Sequence, residues 1–257
     1  MKIFVLLVVA GSLLLVRVAA AQEPTGPSRG PDRGTEFRVH GIQVLPATGR
    51  PFVAMDNIEW TRQLEDGSTA TTHLFATVAR DSQGRIYREH RAFVPADKNQ
   101  QSRRKDFVLL DPIGHTRTTC TPAKRHCTVS DYHESASFVL PPDGLLAKGT
   151  RYLSRESLGS NVISGLNVVG TRETLSITVG VVGNSQPLVA TKEYWYSPDL
   201  QVNLSVTRKD PRIGVQVLQL VDLSRSEPDP TIFQVPSGFV VEDTRSPVAA
   251  EKTPSAP

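Results

Sequence analysis

Residues 193–236 permit few structures other than an antiparallel sheet. Val202, Leu204 and Val206 alternate with Gln201, Asn203, Ser205 and Thr207; Lys209-Asp210-Pro211-Arg212 turns the chain; Ile213, Val215 and Val217 resume the alternation. Alternation of period two on both sides of a polar turn is the pattern of a long hairpin with one apolar face. Leu218, Leu220 and Val221 then break it, as residues do in a strand covered on both sides. Ser197-Pro198-Asp199 and Glu227-Pro228-Asp229-Pro230 bound the stretch with turn chemistry, and a last short strand is expected at residues 239–242.

The same grammar runs upstream. Residues 37–44 and 52–64 read as the first two strands, the second ended by Glu65-Asp66-Gly67. Residues 69–79 and 86–94 flank a short polar turn containing Gly84, a hairpin signal; the second arm is mostly polar on both faces and is expected to be exposed or near an edge. After a polar loop at 96–106, residues 107–111 return as an apolar strand. Residues 145–158 have the best claim to a helix, although Gly149 and Thr150 interrupt it. Residues 161–183 are dense in Val, Ile and Thr, with Gly165 and Gly170 marking bends or bulges. The fold class expected is mainly β: a single curved antiparallel sheet or half-barrel with at most one or two short helices.

The first 21 residues carry Lys2, an apolar run from Ile3 to Val16, and Ala19-Ala20-Ala21 before Gln22, the parts of a secretory signal peptide. Arg17 ends the run short of the roughly 20 apolar residues that a membrane span needs. The organisation expected is a signal peptide at 1–21, a flexible leader at 22–35, one β-rich domain at 36–244 and a disordered tail at 245–257. Cutting after Ala21 removes Lys2 and Arg17, so the formal charge falls from +3 to +1. That balance gives no argument for a nucleic-acid partner. No later segment reads as a transmembrane span, so the mature chain is expected in the periplasm or outside the cell.

Export also governs the reading of Cys120 and Cys127. Two nearby cysteines in an oxidising compartment pair, and Pro122 supplies a turn between them. Closing so short a loop stabilises by roughly 2–3 kcal/mol in the chain-entropy model. The rival, a metal site built from Cys120, His126, Cys127 and His133, fits zinc-ligand spacing poorly, and neither metal nor cofactor is expected.

No catalytic residues are assigned. Gly-x-Ser-x-Gly is absent. Ser102-Arg103-Arg104-Lys105 matches Ser-x-x-Lys only formally, in a charged loop where its lysine is not desolvated. Asp210 with Asp222, and Glu227 with Asp229, sit at turn positions that suit backbone caps better than a glycosidase pair. The arginines between Arg80 and Arg104 are interleaved with acids and read as a solvated face.

The run EYWYSPDL, DPR with Gly214, EPDP, IF and VPSGF resembles the C-terminal half of a group of uncharacterised exported bacterial proteins. It is more remotely similar to the superfamily of the outer-membrane lipoprotein carrier and the periplasmic regulator of the envelope-stress sigma factor. The closer likeness covers residues 159–242. It implies an antiparallel sheet curled into a half-barrel whose concave face takes an acyl chain or a partner segment, and it assigns no residue role.

The function expected is therefore that of an exported, non-catalytic binding protein of the cell envelope, holding an apolar, lipid-like ligand or an envelope partner. A secreted hydrolase with a loop-built site and a structural envelope component are the alternatives. The candidate ligand-binding residues are Tyr194, Trp195 and Tyr196, with tyrosines on one side of the strand and tryptophan on the other, and the hairpin residues Val202, Leu204, Val206, Val215 and Val217. Thiol titration of the unfolded, non-reduced protein should find no free thiol; two per chain would remove the staple.

Overall fold

The computed structural model describes residues 41–98, 100–133 and 142–245. The expected signal peptide, leader and tail beyond Arg245 lie outside these residues, as do residues 37–40 of the first expected strand.

The N-terminal strands are β1 (Phe52–Gln63), β2 (Thr69–Arg80), β3 (Ile86–Arg91), β4 (Val94–Pro95), β5 (Arg104–Asp111), β6 (Thr116–Thr121) and β7 (His126–Asp131). The C-terminal ones are β8 (Gly144–Leu146), β9 (Arg151–Ile163), β10 (Leu166–Ile177), β11 (Leu188–Ser197), β12 (Val202–Asp210), β13 (Gly214–Ser224) and β14 (Val240–Asp243). All belong to one sheet, in the order β14-β7-β6-β5-β3-β2-β1-β13-β12-β11-β10-β9-β8, with β4 folded back onto β2. Two meanders thus share one seam, where β1 runs antiparallel to β13 from Val53↔Ser224 to Thr61↔Val215. β14 adds to the far edge, parallel to β7.

This order forces curvature. Strands β7 and β8 lie near opposite edges, eleven inter-strand gaps apart, which on a flat sheet is about 53 Å at about 4.8 Å per gap. The thirteen peptide steps from Asp131 to Gly144 reach at most about 47 Å. The sheet must bend its edges toward each other for the chain to connect.

Alternation then gives each sheet face its own cover. Phe52, Ala54, Ile58, Leu74, Ala76, Val78, Val206, Leu218 and Leu220 form the main core. It is closed by residues 41–50, an extended strap outside the sheet that sinks Ile42 and Val44 into it. On the other face Ala79, Tyr87, Phe107, Leu109 and the Cys120–Cys127 disulfide form a second cluster. Ile232, Phe233, Val235 and Phe239 cover that cluster as residues 225–239 cross back toward β14.

A strap without ladder pairing must satisfy its buried backbone through side chains. Arg80 does most of this. Its side chain is wholly buried; Nε donates to the carbonyl of Arg50 at 3.0 Å, Nη1 to that of Leu45 at 2.9 Å and Nη2 to that of Leu200 at 2.5 Å. Burial, with Arg50 nearby, pushes its pKa down to about 10, so it stays charged at neutral pH.

Several expectations change. Residues 145–158 form β8, a single 3-10 turn and β9 instead of a helix, because hairpin pairing with β10 outweighs a propensity already weakened at Gly149. Of the expected strand at 37–44, the described residues Gly41–Val44 are strap. Strand β3 is interior, between β2 and β5, because its polar groups are satisfied. Glu89 accepts from Thr77 N, Tyr87 Oη, Arg91 Nε and Arg104 Nη1, and these donors hold its pKa below the usual carboxylate value against the pull of burial.

The hairpin's parity also differs. Asp210 pairs with Gly214 across a three-residue loop, so even-numbered residues face even-numbered ones. Gly214 closes that loop at φ +89° with Thr61 O against its α-carbon, a position with no room for a side chain. Val206 therefore stands beside Leu218, while Val215 and Val217 stand beside Lys209 and Thr207 on the opposite face.

Replacing Arg80 by leucine removes the donor from one buried and two part-buried carbonyls and should cost about 3–5 kcal/mol. The shift in urea midpoint measures it, and a loss under about 1 kcal/mol would show that Arg80 does not hold the strap.

Candidate functional site

The strap's first residues meet the sheet over a buried carboxylate. Asp56 in β1 is 4% exposed. Its Oδ2 accepts the backbone N–H of Ile42 at 2.9 Å, whereas Oδ1 has no hydrogen-bond partner among the described residues. The approach requires a glycine before Ile42, since a Cβ on Gly41 would collide with the Asp56 carboxylate. Arg88 from β3 donates to the carbonyl of Ile42, so the strap is gripped from both sides.

Burial pushes the Asp56 pKa from 3.8 up to about 6, opposed by Arg88, the Ile42 N–H and Arg208. Burial likewise lowers the pKa of Arg88, with Asp56 pulling it back up.

Beside this grip opens a pocket of about 390 Å³, lined by Gly41, Ile42, Gln43, Arg88, Lys192, Asn203, Val206 and Arg208. Small-molecule sites run at roughly 300–1,000 Å³. Strand pairing puts its sheet-borne residues together: Lys192 stands opposite Arg208 and Tyr194 opposite Val206, and beyond a bulge Tyr196 stands opposite Asn203. Asn203 Oδ1 is buried without a partner among the described residues. Lys192 Nζ lies 4.0 Å from Glu173, whose other oxygen accepts from Arg155 at 2.9 Å. Burial lowers the pKa of Lys192 first, Glu173 opposes this, and Arg208 and Arg155 lower it further.

The aromatic cluster divides by strand parity. Tyr194 and Tyr196 fall on the pocket side in line with Lys192, and Tyr196 pairs with Val169 of β10. Tyr196 is 38% exposed, Val169 44% and Val162, on the same face of β9, 60%. Trp195 alternates with them in the strand, its ring lying over Gly170 and packing against the main core cluster.

The hairpin residues separate. Val202, Leu204 and Val206 are buried in the core, and only Val206 reaches the pocket wall. Val215 and Val217 are half-buried on the opposite face. Sequence reasoning missed Asp56, Arg88, Lys192 and Arg208. Parity carried a signal for two of them: Arg208 is in phase with Val206, and Lys192 with the tyrosines.

Other groups have structural partners. Asp210 accepts from the backbone of Arg212, Asp229 from Thr231 and Glu227 from Ser82. Ser102 Oγ donates to the carbonyl of Ala92. His90 pairs with Asp106 at 2.5 Å and His126 with Glu242 at 3.4 Å. Among the described residues no group of three or more His, Cys, Asp or Glu is placed to hold a metal.

No family model matches the chain, and no curated protein does. Solved structures match the chain at low identity and low overlap. An uncharacterised conserved protein from Thermus thermophilus is 10% identical, with 76% of this chain and 90% of that one covered, at a TM-score of 0.38. The MucA/MucB complex of Pseudomonas aeruginosa matches at 13% identity, over 72% of this chain and 56% of that one, at 0.32. The Mycobacterium tuberculosis lipoprotein LppX matches at 14%, over 70% and 90%, at 0.25. At such identities and overlaps the matches transfer no superfamily, ligand, partner or residue role to this chain.

Because the folded pKa of Asp56 is raised, its stabilising contribution is complete below 3.8 and lost as pH rises through about 6, a span of about 3 kcal/mol. Asp56→Asn should match the parent's urea midpoint near pH 4 and exceed it at pH 7.5. Equal midpoints at both pH values would show that the carboxyl titrates normally.

Proposed function

We propose that this chain is an exported, non-catalytic binding protein of the cell envelope that holds a lipid-like, apolar ligand on the strap-covered face of its sheet. The observation that carries the reading is a pocket continued by an uncovered strip: from Val206 the same face runs through Tyr194 and Tyr196 to Val169 and Val162. The strap buries Ile42 and Val44 in the core beside this pocket, which leaves Tyr196, Val169 and Val162 exposed for a ligand to cover. Amphipathic tyrosines at such a boundary suit a molecule that is apolar along its length and wet at one end. The leader of residues 1–21 and the Cys120–Cys127 disulfide support export. The engagement of Asp210, Glu227 and Asp229 as backbone caps supports a role without catalysis.

Titration with a fluorescent neutral monoacylglycerol tests the reading. Saturable binding at one per chain is expected, weakened tenfold or more by Val169→Asp with Tyr196→Asp. Binding that does not saturate, or that the double variant leaves unchanged, would overturn it.

A further inference from the structure

The pocket's lining is one-sided in charge. Arg88, Lys192 and Arg208 line it, and among the described residues no carboxylate does. Asp56, engaged by Ile42 beneath the strap, does not line the pocket but offsets part of the charge of Arg88 and Arg208; Glu173 is shared between Lys192 and Arg155. Burial lowers the pKa of each of the three lining cations, the condition of positive charges with less compensation than burial demands. Such groups are stabilised by an anion brought among them, through charge-assisted hydrogen bonds that shielding from water strengthens.

We propose that the pocket is an anion site that takes the phosphate or carboxylate head of an amphipathic ligand, Arg88, Lys192 and Arg208 facing its charge and the Asn203 side chain accepting from a hydroxyl beside it. This rests on the binding role above and deepens it by naming the ligand's polar end. The unpartnered Oδ1 of Asn203 at the pocket wall is a second, independent mark of a missing donor. The Lys192–Tyr194–Tyr196 row gives the direction: the head lies at Lys192, and the chain runs about 13 Å along alternate β11 residues to Tyr196 before crossing to Val169. Lysine and arginine divide the work, the arginines offering a planar fork to two oxygens and the lysine a mobile point charge.

The test compares three probes on the full mature chain by calorimetry: lysophosphatidic acid, a neutral monoacylglycerol of the same chain length, and inorganic phosphate. Each is repeated on Lys192→Gln, with the thermal midpoint confirming that the variant folds, and on Lys192→Arg as the charge-conserving control. The expected result is lysophosphatidic acid bound at least tenfold tighter than the neutral lipid, a preference that Lys192→Gln abolishes and Lys192→Arg restores while neutral-lipid affinity stays unchanged. Saturable phosphate binding lost in Lys192→Gln, with neither lipid bound, would uphold the anion site with free phosphate as its source and overturn the lipid-binding role. Equal binding of the two lipids, unmoved by Lys192→Gln, would overturn the anion site and leave that role standing. Binding of none of the three would overturn both.

Discussion

A buried guanidinium that donates to three carbonyl oxygens makes the architecture possible. Residues 41–50 lie over the sheet without a strand partner, and Pro46 and Pro51 offer no backbone donor. The strap's inward carbonyls need donors from below, and Arg80 reaches Leu45, Arg50 and Leu200 at once. An ammonium group could not span three such separated acceptors; a planar fork with five N–H groups can. With the strap fixed, Ile42 and Val44 complete the core over Val206 and Leu218. The strap thereby occupies the apolar surface that the alternation at Val202, Leu204 and Val206 announces. Where Gly41 passes above Asp56 the strap borders a pocket whose described walls are cationic.

Much of the fold was legible because its strands are amphipathic and its turns carry ordinary turn residues. The hairpin of β12 and β13 lies where period-two alternation places it, and the disulfide joins β6 to β7 as spacing and compartment suggested. Legibility failed where polar residues are buried. Strand β3 reads as an exposed edge because Arg88 and Glu89 are charged, and nothing local reveals that Ile42, forty-six residues upstream, and Arg104 will satisfy them. Residues 145–158 failed for the opposite reason: their helical propensity is slight, and a twelve-residue ladder with β10 outweighs it.

The site shows the same division. Alternation alone sets Tyr194 and Tyr196 against Trp195, which is how β11 presents them. The sharing of one face by Val206 and Val215 turned on the number of residues in a loop, since one residue more or less exchanges the faces of every side chain beyond it. The cations escaped because they are brought together from β3, β11 and β12, separated by a hundred residues of chain, and charge composition averages them away.

The seam between β1 and β13 has a temporal consequence. Val53 pairs with Ser224 and Thr61 with Val215, so the N-terminal meander emerges with one long side of β1 unpaired until nearly the whole chain has followed. An open strand edge invites pairing with other chains, and contacts this distant in sequence form slowly. The edge's vulnerability is therefore concentrated in the interval between the arrival of β1 and the arrival of β13, which makes the order in which the chain is delivered part of how this sheet is made.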